Sequence, residues 1–94
     1  MESIHIEPEI LQEEESCTME EQNMVRLRFR LPGVTEESIR LHLFRDRLEL
    51  IANANGQMEF HSSYRFSCCY AVPERAKKSW NKGVLTVEIP TVCD

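Results

Sequence analysis

Three histidines, four cysteines and a stripe of arginines are the residues of this chain that could do chemistry, and their spacing decides whether they do. Cys17, Cys68, Cys69 and Cys93 contain no Cys-x-x-Cys pair. Cys68 and Cys69 are adjacent, and in a strand neighbouring side chains point to opposite faces, which argues against their sharing a metal. His5, His42 and His61 show no ligand spacing along the chain, so no zinc centre is expected. There is no Gly-rich phosphate loop, no His-Glu-x-x-His and no local nucleophile–base motif. Glu36-Glu37 reads as a polar turn whose charge suits a helix start. No catalytic, cofactor-binding or metal-binding residue is therefore expected, and the chain does not read as an enzyme.

Arg26, Arg28 and Arg30 alternate with Val25, Leu27, Phe29 and Leu31. The stripe could hold phosphate, but a solvated outer face paired with acids of the N-terminal segment or a neighbouring strand is the better reading. Aromatic residues are few and the net charge is −5, which disfavours nucleic acid as a partner. That net charge is unevenly spread: residues 1–23 hold eight acids and no Lys or Arg, while residues 24–94 hold eleven bases and eight acids. An acidic arm thus precedes a mildly basic body. The arm reads either as a solvated, partly disordered tail or as a segment that docks on its own body or on a neighbouring subunit.

The chain's 94 residues suffice for one domain with a modest core. No apolar run is long enough to span a membrane, and no basic-then-apolar leader is present. The chain reads as cytoplasmic, and its cysteines as reduced thiols rather than two disulfides. A redox switch at Cys68-Cys69 is the weakest of the functional readings.

The hydropathy pattern is that of strands. After a residue 1–15 arm carrying Ile4, Ile6, Ile10 and Leu11, Ser16–Glu20 reads as a short edge strand. Met24–Leu31 alternates strictly, the signature of a half-buried strand, and Pro32-Gly33 ends it. Thr35–Ser38 suggests a single helical turn. Ile39, Leu41 and Leu43 alternate with Arg40, His42 and Phe44, and Arg45-Asp46 turns into a strand over Arg47–Ala52. Asn55-Gly56 is a tight-turn signal. One long strand is predicted from Met58 to Val72, broken at Pro73-Glu74-Arg75. Lys77–Trp80 and Val84–Ile89 then form a hairpin about Gly83, stopped by Pro90. About seven strands without a true helix predict an all-β, antiparallel, Ig-like sandwich. The domain boundaries expected are an arm at 1–15, a β domain at 16–91 and a tail at 92–94.

Three segments carry a resemblance. Leu31-Pro32-Gly33-Val34 with Glu36-Glu37-Ser38-Ile39, Tyr64-Arg65-Phe66 with Val72-Pro73-Glu74, and Ser79–Pro90 resemble, in order and rough spacing, elements of the small heat-shock protein (α-crystallin, Hsp20-like) family. The resemblance covers about residues 16–90. It implies the α-crystallin sandwich and ATP-independent binding of unfolded proteins through apolar edges and a groove, with self-association at least to dimers. Two departures stand out. Only about ten residues separate the strands at Arg47–Ala52 and Tyr64–Val72, where many prokaryotic members carry a strand exchanged between dimer partners. The sequence also ends four residues after Pro90, which leaves no room for the family's C-terminal Ile-x-Ile anchor. Similar shortened forms occur as CS-type co-chaperone domains and as domains appended to arsenical-pump-type ATPases. The alternative reading is therefore an adaptor that binds one folded partner, such as a larger chaperone or an ATPase.

For client or partner binding the candidate residues are Ile39, Leu41, Leu43 and Trp80, lining a groove between the Ile39–Phe44 strand and the strand bearing Trp80. Trp80 also reads as an ordinary core or rim packer, although Trp is enriched at binding surfaces. Ile4 and Ile6 form an Ile-x-Ile at the opposite end of the chain. They are expected to anchor the arm in that groove, in cis or across a dimer, by strand addition.

Overall fold

The computed structural model describes residues 4–16, 23–56, 58–67 and 69–92, which form nine strands in two sheets. The first sheet runs β1 (Ile4–Ile6), β6 (Met58–Arg65), β5 (Arg47–Ala54) and β4 (Arg40–Leu43) in spatial order. The second runs β2 (Glu9–Ser16), β3 (Asn23–Arg30), β9 (Val84–Val92) and β7 (Tyr70–Ala71), with β8 (Lys77–Asn81) also on β9. All pairings are antiparallel except β1 on β6. The all-β sandwich predicted from the sequence is the fold, with two strands more than the sequence pattern suggested.

The core comes from alternation. Val25, Leu27, Phe29 and Leu31 are buried while Arg28 and Arg30 face out. Leu85, Val87 and Ile89 of β9 lie beside them in the same sheet, and Leu48, Leu50, Ala52 and Ala54 of β5 fill the space from the facing sheet. Each fully buried Leu, Ile or Phe contributes about 1.5–3 kcal/mol of transfer free energy, so this layer is the main stabilising element. The turns follow their chemistry. Asn55 and Gly56 both have positive φ, as do Lys82 and Gly83, so both hairpins close through residues in the left-handed region. Gly83 also accepts a hydrogen bond from the Leu31 amide through its carbonyl at 2.8 Å, tying the β8–β9 turn to the end of β3. The single turn expected at Thr35–Ser38 is a 3-10 turn at Glu36–Ser38.

Several expectations are corrected. The long strand predicted from Met58 to Val72 is two strands in different sheets, β6 and β7. The alternation of apolar residues continues through Phe66, but the Phe66 amide bonds to the Asp46 carbonyl and the Ala71 amide to the Arg45 carbonyl. The chain therefore changes sheets beside the β4–β5 turn. The last strand does not stop at Pro90 but runs on to Val92. The N–H and C=O of one residue in a strand project to the same side, and the Pro90 carbonyl accepts from the Val72 amide. The missing donor thus faces the short β7 side, and pairing with β3 at Met24 is untouched. Cys69 is disulfide-bonded rather than a reduced thiol; its partner lies outside the described residues, a pairing that adjacent cysteines and chain spacing do not reveal. The strand expected at Ser16–Glu20 falls outside the described residues beyond Ser16.

The acidic arm is also part of the sandwich. β1 lies against β6 and β2 against β3, and the buried Pro8 joins them as the chain passes from one sheet to the other. β2 continues through Ser16, across the arm boundary expected at residue 15.

Candidate functional site: the edges of the two sheets

The four groove residues expected from the sequence are found at the edges opposite the N-terminal strands. β4 ends the first sheet, and β8 pairs only with β9 in the second. Ile39 is buried, while Leu41, Leu43 and Trp80 are half-buried and pack against the core. Leu41, Leu43 and Trp80 therefore each keep part of an apolar side chain accessible while the rest supports the fold. Phe44, just past β4, is 40% exposed, with the Arg47 guanidinium 4.0 Å from its ring centroid. Tyr70 is 44% exposed, under the Arg45 guanidinium at 5.4 Å. His42 points outward on β4, as its alternation implies.

The arm sits elsewhere within this chain. Ile4, His5 and Ile6 pair in parallel with Met58, Glu59 and Phe60, on the far side of the first sheet from β4. The expected docking of Ile4 and Ile6 between the Ile39–Phe44 strand and Trp80 is thus corrected for a single chain. Ile6 packs on the core beside the buried Phe60, whereas Ile4 is 58% exposed. The physical reason is reach: β2 is fixed along β3 from Glu9, and the two-residue link Glu7-Pro8 carries β1 only to the neighbouring edge.

β2 pairs with β3 along its length and adds ion pairs across the register. Glu9 stands opposite Arg30 and Glu14 opposite Arg26, with Arg30 Nε 3.3 Å from Glu9 and Arg26 4.0 Å from Glu14. Residues five apart in a regular strand face opposite ways; the irregularity between Ile10 and Gln12 adds the residue that brings both acids onto the arginine face. Arg26 also donates through Nε and Nη2 to Glu88 on β9, at 3.0 and 2.8 Å. The arginine stripe is accordingly an outer face in which Arg26 and Arg30 pair with acids of the arm and of a neighbouring strand, while Arg28 stands between Gln12 and Thr86.

Glu15 turns the other way, toward the opposite sheet. Its carboxylate accepts from the Tyr64 hydroxyl at 2.7 Å, the Ser67 amide at 2.8 Å and the Ser67 hydroxyl at 2.9 Å. Burial works against the charged form, but these three donors outweigh it and hold Glu15 below the usual carboxylate range. Burial, and then the bonded Glu15 carboxylate, push the Tyr64 phenol well above its ordinary value. The pair staples β2 to β6, from one sheet to the other.

Among the described residues, one group of side chains could hold a metal: His5, Glu59 and His61. His5 faces Glu59 across the β1–β6 register, and His61 follows two residues on, on the same outward face. Sequence spacing did not bring His5 and His61 together because they belong to different strands; the available signal was Glu59-x-His61, two ligating types on one strand face. His42 does not join them.

The architecture defines a class of fold before any comparison: a nine-stranded antiparallel sandwich whose free edges carry half-buried apolar residues. Solved structures that share this fold include small heat-shock proteins. The chain is similar to the A102D mutant of hsp14.1 from Sulfolobus solfataricus P2, with a TM-score of 0.63 at 17% identity over 87% of this chain and 73% of that one. It is also similar to heat shock protein 16.0 from Schizosaccharomyces pombe, with a TM-score of 0.65 at 16% identity over 96% of this chain and 68% of the other. At this identity the likeness is one of fold. No protein-family model and no characterised protein sequence matches the chain. No described helix is long and apolar enough to cross a membrane.

Proposed function

We propose that this chain is a non-catalytic, ATP-independent holdase that binds unfolded or partly folded proteins through the free edges β4 and β8. One observation carries the reading: the edge strands opposite the N-terminal segment present Leu41, Leu43 and Trp80 half-buried beside strand edges that have no partner among the described residues. An extended client segment adds main-chain hydrogen bonds to such an edge and buries alternate side chains against its apolar flank. The driving force is apolar area removed from water, so neither a cofactor nor a nucleophile is required. The fold shared with the two heat-shock proteins supports the same reading. Self-association through these edges belongs to the proposal.

Light scattering of a heat-denatured client tests it. Suppression at near-stoichiometric ratios, reduced several-fold in Trp80→Ala and Leu43→Ser variants that keep the β-sheet circular-dichroism spectrum, is the expected result. No suppression by the parent chain overturns the holdase reading in favour of the adaptor that binds one folded partner.

A further inference from the structure

We propose that His5, Glu59 and His61 form a zinc site that locks β1 onto β6. The three side chains come from two strands and meet on the outward face of the first sheet. The imidazoles of His5 and His61 stack with centroids 4.3 Å apart and planes inclined by 16°. His5 Nε2 lies 3.6 Å from Glu59 Oε1, and His61 Nε2 is hydrogen-bonded to the same oxygen. The candidate donor atoms all lie within 4.8 Å of one another. With metal–ligand bonds of about 2.0–2.2 Å, donors around one tetrahedral zinc stand about 3.3–3.6 Å apart, so the donors are near enough, and binding an ion turns the imidazoles out of their stack to aim a nitrogen of each at it.

The donor types select the metal class. Two imidazoles and one carboxylate suit zinc and its late first-row neighbours, whereas calcium and magnesium take oxygen donors. The side chains of His5, Glu59 and His61 are 59%, 25% and 39% exposed, which leaves access for the ion and room for water as the remaining ligand. Glu7, in the link that follows β1, lines a cleft with His61 and adds negative charge beside the site.

The consequence lies in the strand, not in catalysis. β1 has three residues and a single strand neighbour, so its own pairing is weak. An ion bound by His5 on β1 and by Glu59 and His61 on β6 is bound only when β1 is docked, and mass action then stabilises the docked state. Zinc thereby closes the β6 edge.

The test uses the full chain, with zinc titrated against a chromophoric chelator and amide hydrogen exchange followed at residues 4–6. The expected result is one zinc per chain, slowed exchange at residues 4–6, and affinity reduced more than about tenfold in each of His5→Gln and His61→Gln, since even outer-shell partners of metal ligands cost that much. Both positions are exposed, and unchanged metal-free melting temperatures confirm that the variants fold. Zinc binding that is absent, or equally tight in both variants and hence carried by the cysteines, overturns the proposal. So does binding that leaves exchange at residues 4–6 unaltered.

Discussion

Residues 4–16 cover one edge of each sheet, and the two covers are built differently. β2 lies on β3 over eight residues, with acids facing arginines and Glu15 reaching across to Tyr64 and Ser67. β1 lies on β6 over three residues, with Ile6 as its core contact and a His–Glu–His face outside. The opposite edges, β4 and β7–β8, have no such cover among the described residues. One segment thus supplies a firm lid and a loose one. The difference shows how a strand too acidic to fold by hydropathy can be held by complementary charge, while a shorter apolar one remains releasable.

Truncation separates the two lids and should give the largest effect. Removing residues 1–8 takes away β1 alone; removing residues 1–16 also bares the edge of β3 and leaves Arg26 and Arg30 without Glu14 and Glu9. We expect the shorter deletion to cost about 1 kcal/mol in urea unfolding and the longer one about 3 kcal/mol or more, the sum of a lost edge strand, the partial burial of Leu11 and the charged hydrogen bonds of Glu15. The longer deletion should also bind an apolar dye and shift to larger species in sedimentation, because an uncovered strand is a template for pairing. Equal losses from the two deletions would break the contrast.

A smaller effect isolates the link between sheets. Glu15→Gln keeps the shape of the side chain but replaces a charged acceptor with a neutral one, and should cost about 1–2 kcal/mol at pH 7. The sign of its pH dependence follows from the direction of the shift. Because folding holds the Glu15 carboxyl below its ordinary 4.5, its contribution is present above that value and disappears as pH falls through the lower folded one. The Tyr64 phenol, raised from 10.0, keeps its share until alkaline pH passes that ordinary value. The gap between parent and variant should therefore be flat from about pH 6 to 9 and close on acidification below about 4.5. A gap that does not narrow at all on acidification would assign the loss to packing rather than charge.

The legibility of the chain follows the same division. Where alternation fixes both faces, as at Val25–Leu31 with its arginines, strand, core and outer face all follow from residue types. The Asn55-Gly56 and Lys82-Gly83 turns follow from the need for positive φ. The sequence Glu9–Ser16 has no such alternation, since Glu13, Glu14 and Glu15 fill both faces; its strand state depends on arginines and a tyrosine far along the chain. The change of sheet after Arg65 is hidden because apolar alternation continues through Phe66. The His5–Glu59–His61 group is hidden because register, not spacing, creates it. The candidate edge residues were visible as a pattern, but their place opposite the N-terminal strands required the topology.

The smallest expected effect tests whether charge alone orders β2. Arg26 lies between Glu14 on one side and Glu88 on the other, at 4.0 and 2.8 Å. Its side chain is 43% exposed, so each pair should be worth no more than about 0.5–1 kcal/mol, weakening with salt. A double-mutant cycle of Arg26→Ala with Glu88→Ala should return the larger coupling, and one with Glu14→Ala a few tenths of a kcal/mol at most. If both couplings vanish in 1 M NaCl while β2 keeps its protection from hydrogen exchange, main-chain pairing and the Glu15 contact hold the strand. Loss of that protection at high salt would make the arginine stripe the element that folds the acidic segment.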